Sequence, residues 1–540
     1  MSKEHTIITD RSIVDQLPTT PIDSIGAIVQ DMRASFASGT MRDINFRKQQ
    51  LQALLRGLRE HEQILLDASA MDMGRSPQES RFFDLRPVEY EIGQFLRYID
   101  KWARPDKHPL ASEQTAFLMS SMEVRKEPLG TVVIIGAWNF PARLNLVPLI
   151  GALAAGNTVV LKPSDVAVQS AIAIGDLVTE YLDPRVVRVV QGGVVQTTEL
   201  LKQRFEHYFY TGSGKVGKIV AKAAAEHLAG VTLELGGKSP VVVHSDVSDL
   251  EAAAARIMWG KLTNAGQTCV GVDYMLVHRA VKDRLLILCM NYIENAYTRT
   301  PQQSPDYVRI INDRHWQRIM ALLNNTTGDI LNTCDDGPDQ ADRYIPPTLV
   351  DGVRPEDSLM SDEIFGPVLP IITYDILDEA LDYINSHDQP LTLYAFGSSK
   401  TTEYIISNTR SGGAVVNDAY MHMAAHHYPF GGTGPSGVGR YMGKYSFDTF
   451  SHHRSVLKNS LRFPPAQIDC VRFPPYSGPE SEWKSGGRDL AFPHNFWLRT
   501  SFWGKAFTFI PFWRLLASAR VVVLGLVYGR SATRARKHPK

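Results

Sequence analysis

Three residue types in this chain would together support acyl chemistry through a covalent intermediate: a thiol, a side-chain amide and a carboxylate. The thiol is Cys269, one of four cysteines in 540 residues, set in the small-residue stretch "NAGQTCVG". Asn139 stands in "GAWNFP", directly after a β-branched run, where functional side chains often project from a loop. Glu234 closes the β-rich part of "VTLELGGKSP", just before two glycines. A thiolate nucleophile, an amide that donates to an oxyanion and a carboxylate that takes a proton from water are the parts a thioester route needs. Each residue alone also has an ordinary structural reading. Free cysteines usually pack as small hydrophobes, an Asn ahead of an aromatic and a proline is usually turn chemistry, and a lone Glu at a strand end is usually solvated.

Such a trio needs rigid elements to hold it. From Thr131 the sequence alternates between two periods. "TVVII" (131–135) reads as a strand, followed by a helix through Ala155, then "NTVVLKP", a helix to about Tyr181, "VVRVVQGG", a short helix, "HYFYTGS" and a helix through His227. Strands alternating with helices of this length predict βαβ units and a parallel sheet covered on both faces, which binds nucleotide cofactors at the carboxyl ends of its strands. A second α/β region runs from "VTLELGGKSPVVV" to "GGAVVNDA", with helices such as "DLEAAAARIMWGKL" and "HWQRIMALLN" between its halves. The first hundred residues predict helices, with Leu51, Leu54, Leu55, Leu58, Ile64 and Leu65 forming an apolar stripe that is core packing. The G-x-G-x-x-G dinucleotide fingerprint is not in its usual place, directly after the first strand of the alternating region. Further along, "TGSGKVG" offers Gly212, Ser213 and Gly217 between a strand and a helix; this suits phosphate at a helix N-terminus and serves equally as a helix-start turn.

Lys+Arg and Asp+Glu both number 57, so the net charge is zero and nucleic acid is not an expected partner. Cys269, Cys289, Cys334 and Cys470 are too scattered for a disulfide framework and form no C-x-x-C pair, so a reducing compartment and no metal centre are expected. The N-terminus lacks an apolar signal region. After a Pro-rich stretch at 459–490, the chain from 491 to 540 is rich in Phe, Trp, Leu and Val and closes on the basic "GRSATRARKHPK". Residues 506–528 match the ~20 needed to cross a bilayer. Arg514 and Arg520 interrupt them, at ~2.5 kcal/mol or more each if held centrally. A span, an interfacial helix and a helix docked on the protein itself all remain open.

Seven motifs occur in order: "WNFP", "LKPSD", "YTGSGKVG", "ELGGKSP", "NAGQTC", "EIFGPVLP" and "PFGGTGPSG". Together they resemble the NAD(P)-dependent aldehyde dehydrogenase superfamily over about residues 25–458. "SFDTFSHHRSV" looks like its class 3 branch, and the linker and tail look like fungal membrane-associated fatty aldehyde or apocarotenal dehydrogenases. The resemblance implies an α/β aldehyde dehydrogenase fold: a flexible N-terminus (1–24), a Rossmann-like NAD-binding domain (25–235) and an α/β catalytic domain (236–440). A small β oligomerisation element follows from 441–458 and part of 105–128. It implies Cys269 as nucleophile, Asn139 as oxyanion donor and Glu234 as hydrolytic base. It places NAD, with NADP possible, on Lys162, Asp165, Gly212, Ser213, Gly217, Glu363 and Phe365. It also implies a homodimer through "SFDTFSHHRSV", whose His452 and His453 are read as structural. The sequence departs from the pattern at Asp165, where Glu is common, and at Gly271–Val272, which reads as a freer segment than the usual Ala-Pro.

The implied reaction is oxidation of a hydrophobic aldehyde, long-chain aliphatic or isoprenoid, to the acid at a cytosol-facing membrane. Three alternatives differ in class: a broad detoxifying dehydrogenase for medium-chain or aromatic aldehydes, a membrane-tethered scaffold without catalysis, and a cysteine hydrolase, which needs a His beside Cys269. A route that hands the thioester to coenzyme A is disfavoured by Glu234.

Overall fold

The computed structural model describes residues 17–108, 121–331 and 334–459; Cys470, all but the first residue of the linker and the whole hydrophobic tail lie outside them. Contacts divide the chain into two units, Met1–Trp102 with Pro128–Ser451, and Ala103–Glu127 with His452–Lys540. In the first unit Thr20 already pairs with Gln191, its N–H donating to the Gln191 carbonyl at 2.9 Å. Helices follow at Ile22–Ser38, Ile44–Glu60, Glu62–Met73 and Arg86–Trp102. Asp43 starts the second by accepting from the Asn45 N–H at 2.9 Å, and the stripe Leu51, Leu54 and Leu58 is fully buried.

Strands β1 (Asp106–His108) and β2 (Ser121–Pro128) precede the alternating region. That region supplies β3 (Thr131–Ile135), β4 (Thr158–Lys162), β5 (Val187–Val189), β6 (His207–Gly212) and β7 (Gly230–Leu235). The next stretch supplies β8 (Pro240–Val243), β9 (Tyr274–His278), β10 (Asp329–Leu331), β11 (Thr348–Asp351), β12 (Val368–Tyr374), β13 (Thr392–Phe396) and β14 (Gly413–Val416). The short β15 (Gly437–Val438) and β16 (Ser451–Lys458) close the described chain.

A six-stranded sheet has the order β15-β7-β6-β3-β4-β5, parallel except for β15. The chain steps outward from β3 to β5 and returns to the other side of β3 at β6. This is a topological switch point, where open α/β sheets leave a crevice at the strands' carboxyl ends. Alternate residues feed opposite faces. Val133, Ile135, Val160, Tyr208 and Leu233 share a core with Ile25, Val29 and Met32 of the first helix, whereas Val132, Ile134 and Val159 face away, fully buried.

The seven-stranded sheet has the order β10-β11-β12-β9-β8-β13-β14, with β10 the antiparallel edge. It too is covered on both faces: Val242, Leu276 and Ala395 lie in one core, Val241, Met275 and Phe396 in the other. The second unit holds a three-stranded sheet, β1-β2-β16. Its ladder is tied by Lys126 to Asp106 at 2.8 Å and Lys458 to Glu123 at 2.8 Å, and His452 and His453 stand exposed on β16.

Candidate active site

Cys269 lies between the helix Leu250–Leu262 and β9. After that helix the chain makes one tight turn in which Asn264, Ala265 and Gly266 all take left-handed backbone angles, with φ of 55°, 50° and 74°. Such angles cost a non-glycine residue ~1–3 kcal/mol and persist only where surroundings over-determine them. Here they are fixed by hydrogen bonds. The Asn264 N–H donates to Glu79 Oε1 at 2.7 Å, and Gln267 Nε2 donates to the Asn264 and Arg309 carbonyls at 3.1 and 3.0 Å. Gly266 permits no side chain, since a Cβ there would collide with the Gly366 carbonyl. The segment after Cys269, expected to be freer, is instead held. The Gly271 N–H donates to the Thr268 carbonyl at 2.8 Å, Tyr394 Oη donates to the Val270 carbonyl, and Val270 and Val272 are buried.

Asn139 sits in the loop between β3 and the helix Pro141–Ala155, with 3% of its surface exposed. Its Nδ2 donates to the Gln267 carbonyl at 3.0 Å, two residues before the thiol. Glu234 is the penultimate residue of β7, between Thr211 of β6 and Gly437 of β15. It is not solvated: only 3% is exposed and neither carboxyl oxygen has a hydrogen-bond partner. Burial therefore lifts its carboxyl well above the usual range, toward the neutral form.

Cys269 and Glu234 line one pocket with Phe140, Arg143, Leu144, Thr211, Thr268, Val270, Tyr420, Met423, Phe430 and Tyr441. The hydroxyls of Thr211, Thr268 and Tyr441 are also unpartnered there, and Arg143 Nη2 donates to the Met423 carbonyl at 2.6 Å. Burial pushes the Cys269 thiol up to about 12; the charges of Glu363 and Glu234 add to the rise, and the Val270 N–H and Arg143 oppose it. Among the described residues no histidine lines the pocket, where a cysteine hydrolase would need one as its base.

The other sequence-predicted residues lie outside the pocket wall. Glu363 is wedged against Gly236, and burial, with Asp273 adding and the Gly237 N–H opposing, raises its carboxyl to about 8. Its loop is held by Lys238, whose Nζ donates to Asp273 Oδ2 and the Leu359 carbonyl, both at 2.6 Å. Phe365, at φ 51°, sets its ring 5.4 Å from Trp138. Lys162 ends β4, donating to the Pro163 carbonyl at 2.9 Å with Asp165 Oδ1 at 3.6 Å, and burial lowers its pKa. Gly212 ends β6, and Ser213 caps the helix Gly214–Glu226 by accepting from the Val216 N–H at 3.5 Å. Gly217 brings that helix onto β7, since a Cβ there would stand 2.6 Å from Leu235 Cδ2.

Sequence reasoning missed Arg75, Glu79, Asp84, Arg143, Asn264 and Gln267, the polar side chains that hold these loops. Asn264 and Gln267 carried a signal, being amides in an otherwise small-residue stretch. Arg75 and Asp84 had none beyond charge in a helical region.

The sequence profile of the aldehyde dehydrogenase family matches residues 8–456, reaching further toward the N-terminus than the motifs alone. Aldehyde dehydrogenase family 3 member A2 of Macaca fascicularis is 43% identical over 458 residues, covering 84% of this chain and 92% of that protein. The Rattus norvegicus protein called aldehyde dehydrogenase, dimeric NADP-preferring, is 43% identical over 460 residues, covering 84% of this chain and 100% of its own. The solved structure of substrate-bound AldH from Staphylococcus aureus superposes with a TM-score of 0.81 at 39% identity, covering 87% of this chain and 100% of that one. The chain therefore belongs to the aldehyde dehydrogenase family, in its class 3 branch, and its activity is the NAD(P)-dependent oxidation of an aldehyde.

Proposed function

We propose that the substrate is a hydrophobic aldehyde, long-chain aliphatic or isoprenoid, and that Cys269, Asn139 and Glu234 divide the chemistry between them. The observation that carries this is the shared pocket: a thiol and an unpartnered buried carboxyl among Phe140, Leu144, Val270, Met423 and Phe430. The Cys269 sulfur, once deprotonated, adds to the aldehyde carbon. Asn139 Nδ2 turns to the oxygen that takes up charge, a donor worth ~3–4 kcal/mol at such positions. Bound NAD(P) supplies the acceptor for the hydride lost from that carbon. Glu234, in its ionised form, then takes a proton from the water that attacks the Cys269 thioester, which frees the acid and restores the thiol. The pocket's apolar walls keep bulk water from the thioester, and the unpartnered hydroxyls of Thr211 and Tyr441 stand ready to hold the one water required.

The residues at the carboxyl ends of β4 and β6 fit a dinucleotide. Lys162 with a half-exposed Asp165 offers an ammonium and a carboxylate to a ribose, and Ser213 opens a 13-residue helix whose first N–H groups suit phosphate. Glu363 and Phe365 would hold the nicotinamide side. Residues 25–235 would thus form the cofactor domain and 236–440 the catalytic domain. The shorter Asp165 discriminates less against a 2′-phosphate than Glu would, so NAD is favoured and NADP accepted.

The tail at 491–540 is proposed as the membrane-associating segment and β16 as a dimer contact. No helix among the described residues is long and apolar enough to cross a membrane. Deleting 480–540 should release the protein from membranes and leave short-aldehyde turnover intact; a truncated protein that still pellets refutes the anchor. For the substrate, NADH formation with hexadecanal, a polyene apocarotenal, benzaldehyde and propanal, each with NAD and NADP, ranks the classes. Faster turnover of benzaldehyde than of hexadecanal would transfer the assignment to a broad detoxifying enzyme.

A further inference from the structure

We propose that Arg75 is the positioning residue that sets the Asn139 amide against the Cys269 loop; this rests on the oxyanion role given to Asn139 above. Arg75 is 1% exposed and does not reach the pocket wall. Its Nη2 donates to the Asn139 carbonyl and, at 2.6 Å, to Asn264 Oδ1, which also accepts from Arg75 Nε at 3.2 Å. Asn264 completes the tie. Its Nδ2 donates to the Asn139 carbonyl and to the Gln267 carbonyl, both at 3.1 Å, and the Gln267 carbonyl is the one that accepts from Asn139 Nδ2. One guanidinium thus joins the loop after β3, which carries the amide, to the left-handed turn that carries the thiol.

The cation is itself held in place. Asp84 Oδ2 stands 3.7 Å from Nη1, and the guanidinium lies 4.8 Å from the centre of the Phe140 ring. Asp84 also accepts from the Ala142 and Arg143 N–H groups at 3.3 and 2.7 Å, so the carboxylate that neutralises Arg75 caps the helix that follows Asn139. A planar fork serves two acceptors at once; a lysine ammonium on a flexible stem does not reproduce it. Displacing a reacting or stabilising group by ~1 Å costs about 10²-fold in rate.

The experiment is a double-mutant cycle in the full-length protein: Arg75→Met, Asn139→Ala, their combination and Arg75→Lys. It reads kcat, KM for the aldehyde, cofactor affinity and the rate of Cys269 alkylation by iodoacetamide, which needs no oxyanion donor. Asn139→Ala should lower kcat by ~10²–10³-fold. Arg75→Met should lower it by ~10²-fold, with cofactor affinity and alkylation unchanged. The combination should match Asn139→Ala alone, because Arg75 acts through that amide. Arg75→Lys should recover part of the loss. If Arg75→Met does not fold, Arg75→Lys with and without Asn139→Ala runs the same cycle. An Asn139→Ala protein as active as the parent removes the oxyanion reading and this inference with it. A damaged Asn139→Ala whose loss multiplies in full with that of the Arg75 variant removes the inference alone. An alkylation rate that falls as far as kcat also removes it, because it means the turn has collapsed.

Discussion

Cys269 and Cys289 stand on the same side of the chemistry by one measure and on opposite sides by another. Burial pushes both thiols up to about 12. Cys289, however, is enclosed at 0% exposure in the helix Arg279–Tyr297, sharing a core with Leu285, Ile293 and Phe396. Cys269 borders a pocket, in a turn of left-handed residues, with carboxylates near enough to add to its rise. Tyr394 belongs to both regions, packing in the Cys289 core while its hydroxyl donates to the Val270 carbonyl beside Cys269. A raised thiol pKa therefore reports low dielectric surroundings and does not identify the nucleophile. Access and the placement of donors do.

The largest expected effect follows at once. Cys269→Ala should abolish dehydrogenase turnover, by ~10³-fold or more, since among the described residues no other thiol borders the pocket. In the unmodified protein, iodoacetamide should label Cys269 and leave Cys289 untouched in the folded state. The labelling rate should climb about tenfold per pH unit from 8 toward 11, because the thiolate becomes the major form only near 12. A rate flat across that range would mean the resting thiol is already ionised, and the environment drawn here for Cys269 would be wrong.

Glu234→Gln comes next. The carboxyl is needed after the oxidation, so the variant should still release one NADH per site in a rapid burst and then fall ~10²–10⁴-fold below the parent in steady state. Steady turnover at the parent rate would exclude Glu234 as the hydrolytic base.

Which parts of this were legible in the sequence has a physical pattern. Strand β3 and the end of the helix Pro141–Ala155 were read to the residue because Gly136 and Gly156 punctuate them. β4 and β6 stood out as apolar runs because both faces of their sheet are covered. Cys269, Glu234 and Asn139 stood out because each sits beside glycines or a proline that open the backbone around it. What brings them together is long-range. Arg75 meets Asn264 across 189 positions, and the pocket walls Tyr420, Phe430 and Tyr441 come from a distant loop. Such contacts leave no local period or composition to read. The Gly271–Val272 segment misled for the same reason: its stiffness comes from Tyr394, a hydrogen bond made 124 residues away.

A smaller effect separates the pocket's carboxyl from its thiol. Folding keeps a proton on Glu234 that the unfolded chain loses near 4.5. Between that pH and its raised folded value, the native state binds more protons than the unfolded one, so this group makes stability fall as pH rises. Glu234→Gln removes the penalty. Its melting temperature should equal the parent's near pH 4.5 and exceed it increasingly as the pH rises above that. A gain that is constant with pH would show that the carboxyl is not protonated in the resting fold.

Cys289→Ala is the smallest change and tests the contrast from its other end. Removing one sulfur from a close-packed core should cost ~1 kcal/mol in unfolding free energy, from lost contacts and a small cavity. It should leave kcat, KM and the NADH burst where they were. A linked loss of kcat would mean that the packing around Cys289 reaches the active turn, and the route is already visible: Tyr394 touches one thiol's core and braces the other's loop. Tyr394→Phe keeps the core filled and deletes that brace. If only the phenylalanine variant slows turnover, the two regions are connected through that one hydroxyl, and the core around Cys289 contributes nothing more than its volume.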